Sequence, residues 1–151
     1  MSAMERGTVN IRRMAHSDID AVLTLNKEAS GGQSSISYKD MIATDLGEAL
    51  DLSFVAEVDG RVVGFVLARL AYLYIPLTEV GVIHAIVVAP DYQRSRIGSR
   101  LISELLSYCH AKDIITIRVP VNAYNTELRR FVERLGFRQS TTLNYDKTFE
   151  N

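Results

Sequence analysis

The chain has 151 residues, 47% of them hydrophobic and 23% charged, with a formal net charge of −1. That length suits one domain over residues 1–151, and the near-neutral charge gives no whole-molecule field, so neither nucleic acid nor a membrane is expected as a partner. Cys109 is the only cysteine, which excludes an internal disulfide, and no Cys/His spacing points to a metal site.

The opening MSAMERGTVNIRRM has no apolar signal core, and no later stretch combines transmembrane length with absence of charge. A cytoplasmic protein is expected. VNIRRM alternates and predicts a first strand. SDIDAVLTLNKEA places Ile19, Val22 and Leu23 at helical spacing behind a Ser17 or Asp18 cap. SGGQSSIS (Ser30 to Ser37) reads as a mobile loop, and YKDMIATDL as a second short helix. LSFVAEVDGRVVGFVLARLAYLY gives two strands around the hairpin signal Asp59-Gly60.

EVGVIHAIVV (Glu79 to Val88) is apolar on both faces apart from His84, which suits a central strand covered on both sides. From Ile97 to Lys112 the stripe Ile97, Leu101, Ile102, Leu105 and Cys109 predicts a helix. IITIRVPV is a further strand. NTELRRFVERLGF is another helix, with Asn125 as N-cap and Gly136 just past its end. TTLNYDKTF supplies a last strand. The order β-α-α-β-β-β-α-β-α-β describes an α/β (α+β) chain, a mixed sheet with helices on both faces.

The stretch VAPDYQRSRIGSRL joins the central strand to the helix after it. A helix N-terminus offers unpartnered amides and a partial positive charge, and a tight turn that aims those amides outward makes a phosphate site. Arg94, Arg96 and Arg100 add charge there. The same residues also read as a solvated loop with arginines serving solubility. No G-x-x-x-x-G-K-[ST] and no G-x-G-x-x-G is present, so a P-loop hydrolase and a dinucleotide fold are set aside.

A strand ending V-x-P, then Tyr, then Q/R-x-x-G-x-G/A opening a helix, and downstream N…F-Y-E-x-L-G-F, resembles the GNAT acyltransferase superfamily. Here those elements are Val88, Pro90, Tyr92, Gln93, Gly98, Asn125 and FVERLGF. The resemblance implies a mixed sheet of about six to seven strands with about four helices, and acetyl-CoA (coenzyme A) as cofactor. It also suggests a homodimer. The diphosphate would lie on Gln93, Arg94, Ser95, Arg96, Ile97, Gly98 and Ser99. Asn125 would contact the cofactor arm. Two positions depart from the pattern. Arg96 stands where a glycine is usual, and helical backbone angles would tolerate it there. Val132 stands where a tyrosine usually serves as acid for the departing thiolate.

Pro120 inside IITIRVPV implies incomplete pairing of that strand. A bulge or a strand end would account for it. The family instead splays this strand from IHAIVV, leaving an acyl-CoA slot in which the backbone of Ile86, Val87 and Val88 bonds the cofactor. Acetyl transfer needs a neutral amine, and holding a lysine-like amine neutral at pH 7 costs about 4.6 kcal/mol, so a base is required. His84 is the candidate base, its ordinary pKa suiting neutrality. Period two places it on one face with Val82, Ile86 and Val88. A core histidine bonded to a carbonyl is the alternative. Glu79 is a second candidate base, at the strand's rim. Many family members carry a glutamate at the position of Val82. Tyr124 is the candidate acid, with Tyr145 and water as alternatives. Cys109 belongs to a core stripe.

The expected function is N-acetyl transfer from acetyl-CoA to a primary amine acceptor by direct attack. The competing one is a non-catalytic acyl-CoA-binding module, which Val82 and Val132 both favour. The stretches that choose the acceptor, Ala29 to Leu46 and Tyr72 to Thr78, carry no charge block, so they name no amine.

Overall fold

The computed structural model describes residues 7–31, 52–73 and 78–150. The chain divides into two compact units, Met1–Pro120 and Val121–Asn151.

Among the described residues the first unit holds a five-stranded sheet in the order β1-β2-β3-β4-β5. Strands β1 (Asn10–Arg13), β2 (Phe54–Val58), β3 (Arg61–Leu73) and β4 (Thr78–Val88) form an antiparallel meander. Helix α1 (Ile19–Ala29) follows β1. Helix α2 (Ile97–Ala111) crosses from β4 to β5 (Thr116–Arg118), which pairs parallel to β4. The turn between β2 and β3 has positive φ at both Asp59 (50°) and Gly60 (79°), which the Asp-Gly pair accommodates and which matches the twist of the two strands.

The two faces of the sheet are covered by different helices. Ile19, Val22 and Leu25 of α1 cluster with Met14, Val55, Phe65 and Leu67, so from Phe65 onward the odd-numbered residues of β3 face α1. On the other face a Cβ at Gly64 would lie 3.2 Å from Ile97 and 3.4 Å from Leu101. Glycine there lets the start of α2 settle against β3. The predicted stripe Ile97, Leu101, Ile102, Leu105 and Cys109 is buried throughout. Each large aliphatic side chain so placed contributes about 1.5–3 kcal/mol.

Asp18 occupies the N-cap position of α1 but makes no side-chain cap bond. Its carboxylate is engaged elsewhere. Arg12 donates to both oxygens, each at 2.8 Å, and to Glu57 at 3.1 Å, while the Ala15 N–H donates to Asp18 at 2.7 Å. The Arg12 guanidinium therefore holds the Asp18 carboxyl below its ordinary value. The stabilisation is complete above the unfolded carboxylate range near pH 4 and is lost as pH falls through the lowered folded-state value. Asp18→Asn is expected to cost about 2 kcal/mol at pH 7. A lower urea midpoint reads it, and the gap between wild type and variant closes in acid.

Just before β2, Ser53 is fully buried. Its hydroxyl accepts from the Ala68 N–H at 3.0 Å and donates to the Ala68 C=O at 3.1 Å. One side chain thus takes over where the β2 ladder stops.

The second unit contains α3 (Thr126–Arg134). Asn125 Oδ1 accepts from the Leu128 N–H at 3.1 Å, the expected N-cap. Gly136 has φ 94°. Its N–H donates to Glu133, and the Phe137 N–H to Val132, at 3.0 and 3.1 Å. This paired closure of the helix end requires the positive φ that glycine supplies.

The fold class is that expected, an α/β arrangement with a mixed sheet and helices on both faces, with five strands and three α-helices among the described residues. The helix expected in YKDMIATDL and most of the loop Ser30 to Ser37 lie outside the described residues. TTLNYDKTF is not a strand. Leu143, Tyr145 and Phe149 alternate with polar residues, but a strand also needs a partner, and none pairs with this segment among the described residues.

Candidate functional site

β4 is built in two halves. Leu67 of β3 faces Ala85, but Ala68 faces Ile83. His84 is therefore an extra residue, a β-bulge. Bulges interrupt pairing and re-aim a side chain. This corrects the expectation from period two. Val82 pairs with Arg69 and so faces the α1 side, whereas Ile86 and Val88 pair with Val66 and Gly64 on the α2 side. His84 cannot share one face with all three. Its side chain is exposed, which removes the core-histidine alternative. Partial burial, and then the positive charge of Arg69, hold its imidazole below its ordinary pKa. The ring is thus neutral near pH 7, with a nitrogen lone pair available.

The outer edge of β4 changes at the same level. β5 pairs with β4 only from Val80↔Thr116 to Val82↔Arg118, so pairing ends two residues before Pro120. Beyond Val82, among the described residues, no strand covers that edge. The Ala89 N–H donates to the Val63 C=O at 2.8 Å. By antiparallel alternation the backbone groups of Ala85 and Val87 also face β3. Those of Ile86 and Val88 face the open edge. The expected trio Ile86, Val87 and Val88 is therefore split: Val87 directs its polar backbone inward.

The open edge leads into the turn before α2. Pro90 to Tyr92 form a short 3-10 segment, and the Gln93 side chain donates back to the Val88 C=O at 3.1 Å. The Ser95 hydroxyl donates to the Tyr92 C=O. Arg94 (φ 68°) and Arg96 (φ 66°) are both left-handed, which corrects the expectation that Arg96 adopts ordinary helical angles. Successive amides in such a turn form a concave anion-binding nest. The first intrahelical bond is Arg100 N–H to Arg96 C=O, 3.0 Å. The amides of Ile97, Gly98 and Ser99 precede it, and no side chain caps the helix. Gln93, Arg94, Ser95 and Arg96 are exposed and Ile97 is buried. Arg100 differs from the other two arginines: its guanidinium turns to the Val9 C=O at 3.4 Å.

A left-handed non-glycine residue costs about 1–2 kcal/mol, a cost tolerated where surrounding structure and function demand it. Arg96→Gly relieves that strain and loses part of the gain to chain entropy. The expected result is stabilisation of about 0.5–1 kcal/mol, read as a raised denaturation midpoint.

The remaining sequence candidates fall elsewhere. Glu79 pairs with Tyr72 and is exposed. Pairing with an even-numbered β3 residue puts it on the α2 side, away from the Arg69–Val82 row. Tyr124, 93% exposed, and Tyr145, 90% exposed, belong with Asn125 to the second unit. Cys109 is buried in the α2 stripe, and burial pushes its thiol up to about 11, so the thiol is protonated and shielded at neutral pH. Among the described residues no three His, Cys, Asp or Glu side chains gather as metal ligands would. No described helix is long and apolar enough to cross a membrane.

Two residues on β4's flanks escaped the sequence reading. Arg69 of β3 pairs with Val82, and Val82 pairs with Arg118 of β5. Partners in adjacent strands share a face, so two arginines flank Val82 on the α1 side. Each is a lone charge in an apolar stretch, Arg69 in VVGFVLARLAYL and Arg118 in IITIRVPV, and that isolation was the available signal.

Residues 19–137 match the model described as the acetyltransferase (GNAT) family. An uncharacterized N-acetyltransferase of Methanocaldococcus jannaschii is 30% identical over 139 residues, 87% of this chain. The chain spans 62% of that protein's length. An uncharacterized N-acetyltransferase of Archaeoglobus fulgidus is 28% identical over 130 residues, covering 82% of this chain and 88% of its own. Among solved structures, the aminoglycoside N-acetyltransferase AAC(6')-Iy in complex with CoA superposes with a TM-score of 0.74 at 21% identity, over 93% of this chain and 95% of that one. At that identity the likeness concerns the fold.

Proposed function

The chain belongs to the acetyltransferase (GNAT) family, and on that premise we propose that it transfers an acetyl group from acetyl-CoA to a primary amine by direct attack, without a covalent enzyme intermediate. The observation that carries the proposal is the continuity of two donor sets: a strand edge left open beyond Val82 and a helix start with unspent amides. The family match crosses the boundary between the two compact units, which supports reading them as one N-acetyltransferase domain.

The residues present suit acetyl-CoA. Its diphosphate would be held by the amides of Ile97, Gly98 and Ser99 and by the nest at Arg94 to Arg96, where anions are favoured by geometry and dipole together. Arg94 and Arg96 have no carboxylate partner among the described residues, so their charge is available. Ile86 and Val88 offer backbone groups to the cofactor's amides, as a strand would. Gln93 fixes the end of that edge. Asn125, in the second unit, uses its Oδ1 as a cap. Bound there, acetyl-CoA supplies an acyl group activated by a thiolate leaving group.

His84 accepts the proton that the amine must lose, directly or through one water. Its neutral state near pH 7 and its exposure at a bulge both serve that role. Tyr124 is the candidate acid in the same proposal, although a thiolate with a pKa near 8.5 needs little assistance.

Calorimetry with acetyl-CoA and CoA-thiol release across an amine panel test this together. Saturable binding with release on at least one amine is expected. Binding without release across a broad panel gives the protein to the acyl-CoA-binding module instead. Absence of any heat of binding overturns both readings.

A further inference from the structure

On the α1 face of the sheet Arg69, Val82 and Arg118 form a row. The three residues sit side by side on β3, β4 and β5. The outer two strands are about 10 Å apart, so two long side chains leaning over the small Val82 can meet on one ligand. Val82 is small and apolar, so no acid stands between the arginines. Neither guanidinium has a carboxylate partner among the described residues. Arg118 is half-buried, and a partly desolvated cation without a counter-charge is costly unless a ligand supplies one. The bulge puts His84 two residues beyond Val82, next to this row. The nearest acidic residue on β4, Glu79, faces the opposite side of the sheet.

We propose that Arg69 and Arg118 form an anion clasp beside His84, and that the acceptor is therefore a primary amine carrying a carboxylate or a phosphate. The clasp holds the acidic group over Val82 and presents the amine toward the bulge. Guanidinium forks bind either oxyanion through paired N–H donors. A polycationic amine meets two unpaired positive charges and is rejected. The assignment of an amine acceptor rests on the acetyltransferase reading; the clasp itself does not.

Matched amines test the substrate class. Phenylalanine is compared with 2-phenylethylamine, and phosphoethanolamine with ethanolamine, by CoA-thiol release. At least one acid-bearing member is expected to exceed its neutral twin in kcat/KM by at least about tenfold, a margin of about 1.4 kcal/mol. Which pair shows it separates carboxylate from phosphate. Arg69→Gln and Arg118→Gln are each expected to narrow that ratio, mainly through KM, whereas Arg61→Gln at the far end of β3 retains it. Neutral or cationic amines preferred by the wild type, or a ratio unmoved in both clasp variants, overturn the proposal.

A binding measurement stands apart from turnover. Acetate and inorganic phosphate are titrated into CoA-saturated protein while the arginine Nε–Hε resonances are followed by NMR. Saturable shifts at Arg69 and Arg118 with either anion are expected. If they occur while no amine is acetylated, the clasp stands and the enzymatic reading falls. Resonances that neither anion moves overturn the clasp whether or not turnover is seen.

Discussion

His84→Ala is expected to lower turnover by about 100-fold or more, while acetyl-CoA affinity changes far less. The separation follows from position. His84 is the extra residue of the β4 bulge, whereas the cofactor groups proposed above are backbone atoms of Ile86, Val88 and the α2 turn. Removing the imidazole deletes a proton acceptor and leaves those main-chain donors in place. The pH profile gives a second readout. Burial and the charge of Arg69 both lower the His84 pKa, so the acid limb of kcat/KM should fall below the ordinary histidine value near 6.5. Above that limb the base is already neutral and contributes no further rise. Arg69→Gln removes one of the two causes and should move the limb upward. Normal turnover by His84→Ala across neutral pH would reject the role.

Ser53→Ala should be the most damaging single-atom deletion in the first unit. The Ser53 hydroxyl serves both the N–H and the C=O of Ala68 at about 3 Å, in a position with no access to solvent. Alanine leaves both groups without a partner, at about 1–3 kcal/mol for each buried group. A total of about 2–6 kcal/mol, seen as a lower urea midpoint, is expected. A functional consequence should accompany it. Ala68 lies opposite Ile83 at the shift in register that creates the bulge. Loosening β3 there should disturb His84 as well, so turnover should drop even at temperatures where the variant is folded. A variant as stable as wild type would show that another donor and acceptor serve Ala68.

Much of this architecture is legible from periodicity. The stripe from Ile97 to Cys109, the Asp59-Gly60 hairpin and the Asn125 cap are local patterns, fixed by neighbours in sequence, and each appears as expected. Features that depend on distant partners were not legible. The bulge at His84 exists only in the register between β4 and β3. Strict alternation therefore assigned its side chain to a face it does not share. The left-handed angles at Arg94 and Arg96 run against local preference; they follow from how the turn must reach α2. TTLNYDKTF alternates well but lacks a pairing strand among the described residues. The row of Arg69 and Arg118 joins residues far apart in the chain, and only the sheet sets them beside Val82.

The open edge of β4 also bears on how the protein survives in concentrated solution. Ala85, Ile86, Val87 and Val88 are small or β-favouring, uncharged residues, and no lysine or proline interrupts them. Natural sheets usually guard such a border against recruiting foreign strands into aggregates. Here the proposed ligand would double as that guard. Preparations stripped of it would then be the ones prone to precipitate, and a storage buffer containing CoA would be protective as well as catalytically convenient.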